Sequence, residues 1–163
     1  MKVLSIDPAL KNIAITKVSF DEDKNITDIE PNLIDIMGKT KTITYDKMMN
    51  NLIVELDKIN IDDCDAVIIE NQPSLKNMKV KSVSVAIFTY FLIKKNNNVH
   101  FVSPNSKSKE IKQCATYAKR KKLSIELGLN LLNDECKDKI NQYKKKDDVL
   151  DSILQAKYFV DKK

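Results

Sequence analysis

The sequence predicts an α/β fold, one mixed sheet covered by helices. Residues 1–37 hold three β-rich runs in succession, and from Thr44 onward helical periodicity alternates with short apolar strands. Strands that come first in a run and then alternate with helices argue for a sheet with both antiparallel and parallel neighbours. A length of 163 residues with 42% hydrophobic content is enough for one continuous core. Residues 1–163 are therefore expected to form a single domain.

The elements follow in order. "KVLSI" and "NIAITKVSF" read as two strands separated by "DPALK", a turn-like break at Pro8, and the ragged alternation of "ITDIEPNLIDIM" completes a three-stranded meander. Tyr45, Met48, Met49, Leu52, Ile53, Leu56 and Ile59 recur at steps of three and four, which predicts an amphipathic helix over Thr44–Ile59. "DAVIIE" is a short buried strand. From Ser74 to Lys95 the chain predicts a long helix whose "VAIFTYFLI" is apolar nearly all round, so it is either deeply buried or shared with a partner subunit. "NVHFVS" is the last strand, with His100 in a structural rather than a catalytic place. Beyond Pro104 come two basic helical stretches over about 107–132, a charged connection, and a final helix over about 148–160. No internal repeat, low-complexity tract or Pro/Gly-rich linker interrupts this order.

Charge adds a functional direction. The chain has 28 basic and 23 acidic residues, a net charge of +5 that permits a polyanionic partner without requiring one. Clustering is more informative: lysines bunch at 76–81, 107–112, 119–122 and 144–146, while several acids stand alone at the ends of apolar runs. That is the pattern of a phosphate-tracking surface around a metal site. Cys64, Cys114 and Cys136 are widely spaced and odd in number, so neither a disulfide framework nor a zinc knuckle is expected, and a reducing compartment is the default. No uncharged apolar run approaches the roughly 18 residues of a membrane span, and "MKVLSID" begins as a strand rather than as a signal peptide. A cytoplasmic protein is expected.

Two acids close apolar strands: Asp7 in "LSID" and Glu70 in "VIIE". If these strands are parallel neighbours, both carboxylates emerge at one edge; the plain alternative is that each marks where a strand meets solvent. On the final helix Asp148 and Asp151 are three residues apart and share a face, whereas Val149, Ile153, Ala156 and Val160 lie on another. With that apolar face packed near the first strand, four carboxylates would surround one point and repel unless cations neutralise them. Hard divalent cations suit oxygen ligands, and two Mg2+ ions about 3.5–4 Å apart, with Mn2+ as a substitute, form a clamp for in-line attack on a phosphodiester. Asp147 precedes the predicted helix and is best placed as its cap. It is also four residues from Asp151 and shares a face with it, so the choice between Asp147 and Asp148 as ligand stays open.

This series of acids resembles that of the RuvC-type Holliday junction resolvases of the ribonuclease H-like superfamily. "IDPALKN", "IENQP", "SPNSK", "YAKRKKLSIE" and "KKDDVLDSI" are similar, in order and over almost the whole chain, to motifs of the poxvirus and fungal mitochondrial branch. The resemblance implies a ribonuclease H-like mixed five-stranded sheet flanked by helices. It implies a magnesium-dependent endonuclease that makes paired symmetric nicks in four-way branched DNA and leaves 5′ phosphates. Asp7, Glu70, Asp148 and Asp151 would be the metal ligands, and a catalytic lysine just after the "SP" turn is matched best by Lys107, with Lys109 as the near miss. Relatives commonly place glycine two residues after the first aspartate, where this chain has Ala9.

Contacts to DNA phosphates are expected from Lys11, Lys76, Lys79, Lys81 and Lys109 and from the run Lys119, Arg120, Lys121 and Lys122, with Asn71 and Gln72 near the cut. Paired nicks require a two-fold homodimer, for which "VAIFTYFLI" is the candidate interface. The competing readings are a ribonuclease H-like enzyme acting on RNA or RNA–DNA hybrids and a non-catalytic structure-specific DNA-binding module. An actin-like kinase would need glycine-rich phosphate loops, and "DPALKN" has no glycine.

Overall fold

β1 (Lys2–Asp7) is the middle strand of a five-stranded sheet of order β3-β2-β1-β4-β5, with β2 (Ile13–Phe20) and β4 (Ala66–Glu70) beside it and β3 (Ile26–Ile34) and β5 (Val99–Val102) at the edges. The computed structural model describes residues 1–73, 77–95, 98–104 and 116–163. The first three strands form the expected antiparallel meander; β4 pairs parallel to β1, and β5 parallel to β4. Val3, Leu4, Ser5 and Ile6 are all buried, as a central strand covered on both faces requires. Pro31 cannot donate to a ladder, and it falls in β3, an edge strand that tolerates it. In the turn after β1 the left-handed residue is Asn12, at φ 54°, so Ala9 is not asked to adopt a glycine conformation.

Strand alternation sorts the side chains into two layers. Leu4, Ile6, Val67 and Ile69 pack with Met48, Leu52 and Leu56 of α1 (Tyr45–Leu56) and with Val83, Ile87 and Phe91 of α2 (Met78–Lys95). Val3, Val18 and Ile68 face the opposite layer, built from α3 (Tyr117–Asn130), α4 (Asp134–Asn141) and α5 (Lys146–Asp161); Cys136, Ile140, Val149, Leu150, Ile153 and Val160 fill it. α2 is neither wholly buried nor wholly free: Val83, Ile87 and Phe91 point inward, whereas Met78, Val85 and Ile93 are exposed. Among the described residues no helix is long and apolar enough to cross a membrane.

Three expectations need correction. α1 ends at Leu56, so Ile59 lies beyond it. The charged connection contains α4, whose Asn133 side chain accepts a hydrogen bond from the Cys136 amide at 2.8 Å and whose first turn carries Asp134 and Glu135. A cap, a favourable charge at the dipole's positive end and the buried pair Cys136 and Ile140 are enough to fix two turns that are otherwise polar in sequence. Finally, α5 starts at Lys146, so Asp147 lies in its first turn; the cap position belongs to Lys145, which makes no side-chain capping bond. Of the two basic stretches over 107–132, the second is α3, and residues 105–115 are outside the described residues.

α3 approaches α5 at Gly128, where an added Cβ would meet Leu150 Cδ2 at 2.9 Å and Leu150 Cβ at 3.1 Å. Gly128→Val should therefore force these helices apart and cost about 1–3 kcal/mol, as overpacking of a filled core does. Urea denaturation measures this directly, and an unchanged midpoint would contradict the close approach.

Candidate active site

β1 and β4 deliver the first two acids. Ile6 is paired with Ile69, so Asp7 and Glu70 follow in step at the carboxyl ends of adjacent parallel strands. Alternation puts Asp7 on the Val3 side of β1 and Glu70 on the Ile68 side of β4, which is the face covered by α5. Glu70 is 7% exposed, and its Oε1 accepts a hydrogen bond from Gln72 Nε2 at 2.9 Å. Ser84 of α2 donates to the Glu70 carbonyl at 3.2 Å, tying this strand end to the other layer.

α5 delivers the other two acids because it runs antiparallel to β1. Val160 near its end lines a surface cleft with Met1 and Phe20, whereas Gln155 Nε2 donates to the Ile6 carbonyl at 3.2 Å. One turn earlier, Ser152 Oγ lies 2.6 Å from Thr16 Oγ1 of β2. The N-terminus of α5 thus reaches the edge where β1 and β4 end. Asp148, Ser152 and Gln155 are spaced i, i+4, i+7 on one row, whose Ser152 and Gln155 bond to the sheet, while Asp147, Leu150 and Asp151 form the row that meets α3.

Two side chains of α3 meet that second row. Lys121 donates to Asp147, a short contact, and its Nζ lies 3.5 Å from Asp148 Oδ1. Ser124, a buried residue, donates a short hydrogen bond to Asp151 Oδ1. Burial raises the Asp147 carboxyl, but the hydrogen bond and charge of Lys121 outweigh it and hold the group below the usual carboxylate range. Asp148 goes the other way: burial and then the adjacent Asp147 charge raise it, and Lys121 compensates only in part.

The donor chemistry fits hard divalent cations: Asp7, Glu70, Asp148 and Asp151 offer only carboxylate oxygens, carried by two strands and a helix that share one edge. The four are not drawn into a closed cluster. Among the described residues no group of three or more His, Cys, Asp or Glu side chains is arranged to hold a metal ion. Just beneath, Ser5 Oγ and Gln155 Oε1 are fully buried without a hydrogen-bond partner among the described residues, so the edge has polar capacity to spare.

The expected DNA contacts divide into four groups. Lys11, Lys119, Arg120 and Lys122 are exposed. Lys81 donates to Asn71 Oδ1 at 2.6 Å and lies 5.3 Å from the centre of the Phe101 ring, and Lys79 donates to the Ile43 carbonyl at 3.1 Å. Lys121, expected among the phosphate contacts, is half-buried and turned toward Asp147 and Asp148. Lys76 and Lys109 lie outside the described residues, as does Lys107, the expected catalytic lysine. His100 is exposed on β5 with Nε2 3.1 Å from Asn98 Oδ1. Sequence reasoning missed Ser124, Thr16, Ser152 and Gln155, the polar residues that orient the helix, because their partners are 27 or more residues away.

A family model described as "Poxvirus A22 protein" matches residues 1–162. An uncharacterized protein of Acanthamoeba polyphaga mimivirus is 34% identical in an alignment of 142 residues that covers 71% of this chain and 34% of that protein's length. Among solved structures, the fowlpox virus resolvase in complex with substrate Holliday junction DNA has a TM-score of 0.66 at 24% identity, covering 99% of this chain and 98% of that one. The yeast mitochondrial Holliday junction resolvase gives 0.67 at 19% identity over 96% and 78%, and RuvC of Thermus thermophilus gives 0.62 at 13% over 99% and 96%. The fold is thus the ribonuclease H-like fold of RuvC, as the motifs implied.

The buried Thr16–Ser152 contact anchors the helix that carries the acids. Ser152→Ala should strand the Thr16 hydroxyl and cost about 1–3 kcal/mol. Adding Thr16→Val should restore part of that loss in urea titrations, whereas strictly additive losses would mean the two hydroxyls do not depend on each other.

Proposed function

The chain belongs to the poxvirus A22 protein family, and from that premise we propose that it is a Holliday junction resolvase, a metal-dependent endonuclease that nicks four-way DNA in symmetric pairs. The observation that carries this reading is the meeting of two strand ends and one helix start: Asp7 and Glu70 on the face under α5, and Asp148 and Asp151 in the turns of α5 that reach the same edge. The fowlpox protein of the same fold, solved with substrate Holliday junction DNA, supports the choice of substrate.

In this reading residues 1–163 act as one nuclease domain. Asp7, Glu70, Asp148 and Asp151 hold two Mg2+ ions, with Mn2+ able to replace them. A bound divalent cation supplies water activated near neutral pH and neutralises charge at the phosphate and the leaving 3′ oxygen. The chain's own groups do the rest. Gln72, bonded to Glu70, fixes that carboxylate's direction, and Ser124 does the same for Asp151. Lys107 stabilises developing charge. Exposed Lys11, Lys119, Arg120 and Lys122 track phosphates, with Asn71, Lys76, Lys79, Lys81 and Lys109 along the approach. Cleavage leaves 5′ phosphates. The two nicks come from a homodimer whose interface includes the exposed α2 stripe of Met78, Val85 and Ile93, and the enzyme works in the cytoplasm, that of the host cell if the protein is viral.

The test uses labelled mobile junction, linear duplex and RNA–DNA hybrid, each with Mg2+ or with chelator. Paired symmetric nicks in the junction alone are expected, with Asp7→Asn and Glu70→Gln each losing about a hundredfold or more; cleavage of the hybrid but not the junction would overturn the proposal. A Val85→Glu/Ile93→Glu pair should convert the dimer to monomer in analytical ultracentrifugation, and a dimer that survives both charges would remove α2 from the interface.

A further inference from the structure

Two adjacent aspartates open α5, one helical step apart. The helix rows separate them. Asp148 heads the row that continues through Ser152 and Gln155 to Thr16 and Ile6, the strand residues beside the Asp7 end of the sheet. Asp147 heads the row that packs on α3, and Lys121 meets it there, at a shorter contact than the 3.5 Å to Asp148. The pair is not a loose surface contact: Lys121 and Asp147 side chains are 30% and 21% exposed, so the interaction is only partly screened. The Ser124 hydrogen bond to Asp151 and the Gly128 contact with Leu150 hold α3 in register with α5 along the same seam.

We infer that Lys121 decides which aspartate is the metal ligand, pairing with Asp147 along α3 and leaving Asp148 to act with Asp151, Asp7 and Glu70. This rests on the nuclease reading. Lys121 is thus a positioning residue. It keeps a surplus carboxylate from competing for the cation, and it keeps three neighbouring negative charges from repelling one another before a cation arrives.

The inference is tested with the full chain and Mn2+ alone, following free Mn2+ by electron paramagnetic resonance. Asp148→Asn should weaken binding about tenfold or more, the usual size of a change in metal-site ligation, whereas Asp147→Asn should leave it within about twofold. In the Asp148→Asn background, Lys121→Met or Lys121→Gln should restore binding to within about threefold of wild type, because Asp147 is released to take the vacant place. Lys121→Arg should not restore it. Adding Asp147→Asn should abolish the rescue, which separates ligation by Asp147 from a general gain in negative charge. No rescue by either neutral variant, or equal weakening by Asp147→Asn and Asp148→Asn, overturns the role of Lys121. Wild-type binding that Asp7→Asn weakens, together with a failed rescue, removes Lys121 and keeps the nuclease reading; a wild-type chain that binds no Mn2+ removes both.

Discussion

Everything proposed for this molecule depends on the direction in which α5 lies on the sheet. Antiparallel to β1, it brings its N-terminus to the edge where β1 and β4 end; run the other way, Asp148 and Asp151 would stand beside Met1 at the far side of the fold. Apolar packing alone does not choose between these orientations, because Val149, Ile153, Ala156 and Val160 would bury comparable surface either way. Polar groups inside the interface choose. The Gln155 amide must meet the Ile6 carbonyl and the Ser152 hydroxyl must meet Thr16, and a reversed helix would leave these buried groups without partners, at a cost of about 1–3 kcal/mol for each.

The helix start adds a favourable field. Its exposed amides carry partial positive charge that suits Asp147 and Asp148, yet the same two acids lie side by side and raise each other's electrostatic cost. Lys121 offsets that cost from outside the helix. The basic helix α3 therefore has two kinds of cation: Lys119, Arg120 and Lys122 turned to solvent, and Lys121 turned to the acids. Four consecutive cations on a helix must point around most of its circumference, so one of them is bound to face inward.

Much of this was legible in the sequence, for local reasons. Strand alternation, the three- and four-residue steps of α1 and the acids closing "LSID" and "VIIE" are properties of neighbouring residues, and the sheet followed them. Periodicity does not reveal α4, because only Cys136 and Ile140 on it are apolar and its start is marked by the Asn133 cap. Asp147 is not the cap, because helix starts are set by backbone pairing as well as by side chains, and α5 begins at Lys146 without a capping side chain. Lys121 could not be distinguished from its neighbours by sequence, since its partner is 26 residues away and on another element. The motifs carried the family further than periodicity could, because they preserve order along the chain rather than local pattern.

The pairing of β1 with β4 works as a ruler. Neighbouring strands lie about 4.8 Å apart whatever their side chains, because backbone hydrogen bonds set the interval. Asp7 and Glu70 sit on successive marks of that ruler, one step past the Ile6–Ile69 pair. Their separation is thus inherited from the main chain, and it is indifferent to which apolar residues fill the layers above and below. Generations of substitution can exchange leucine, isoleucine and valine throughout the core while those two carboxylates keep their distance.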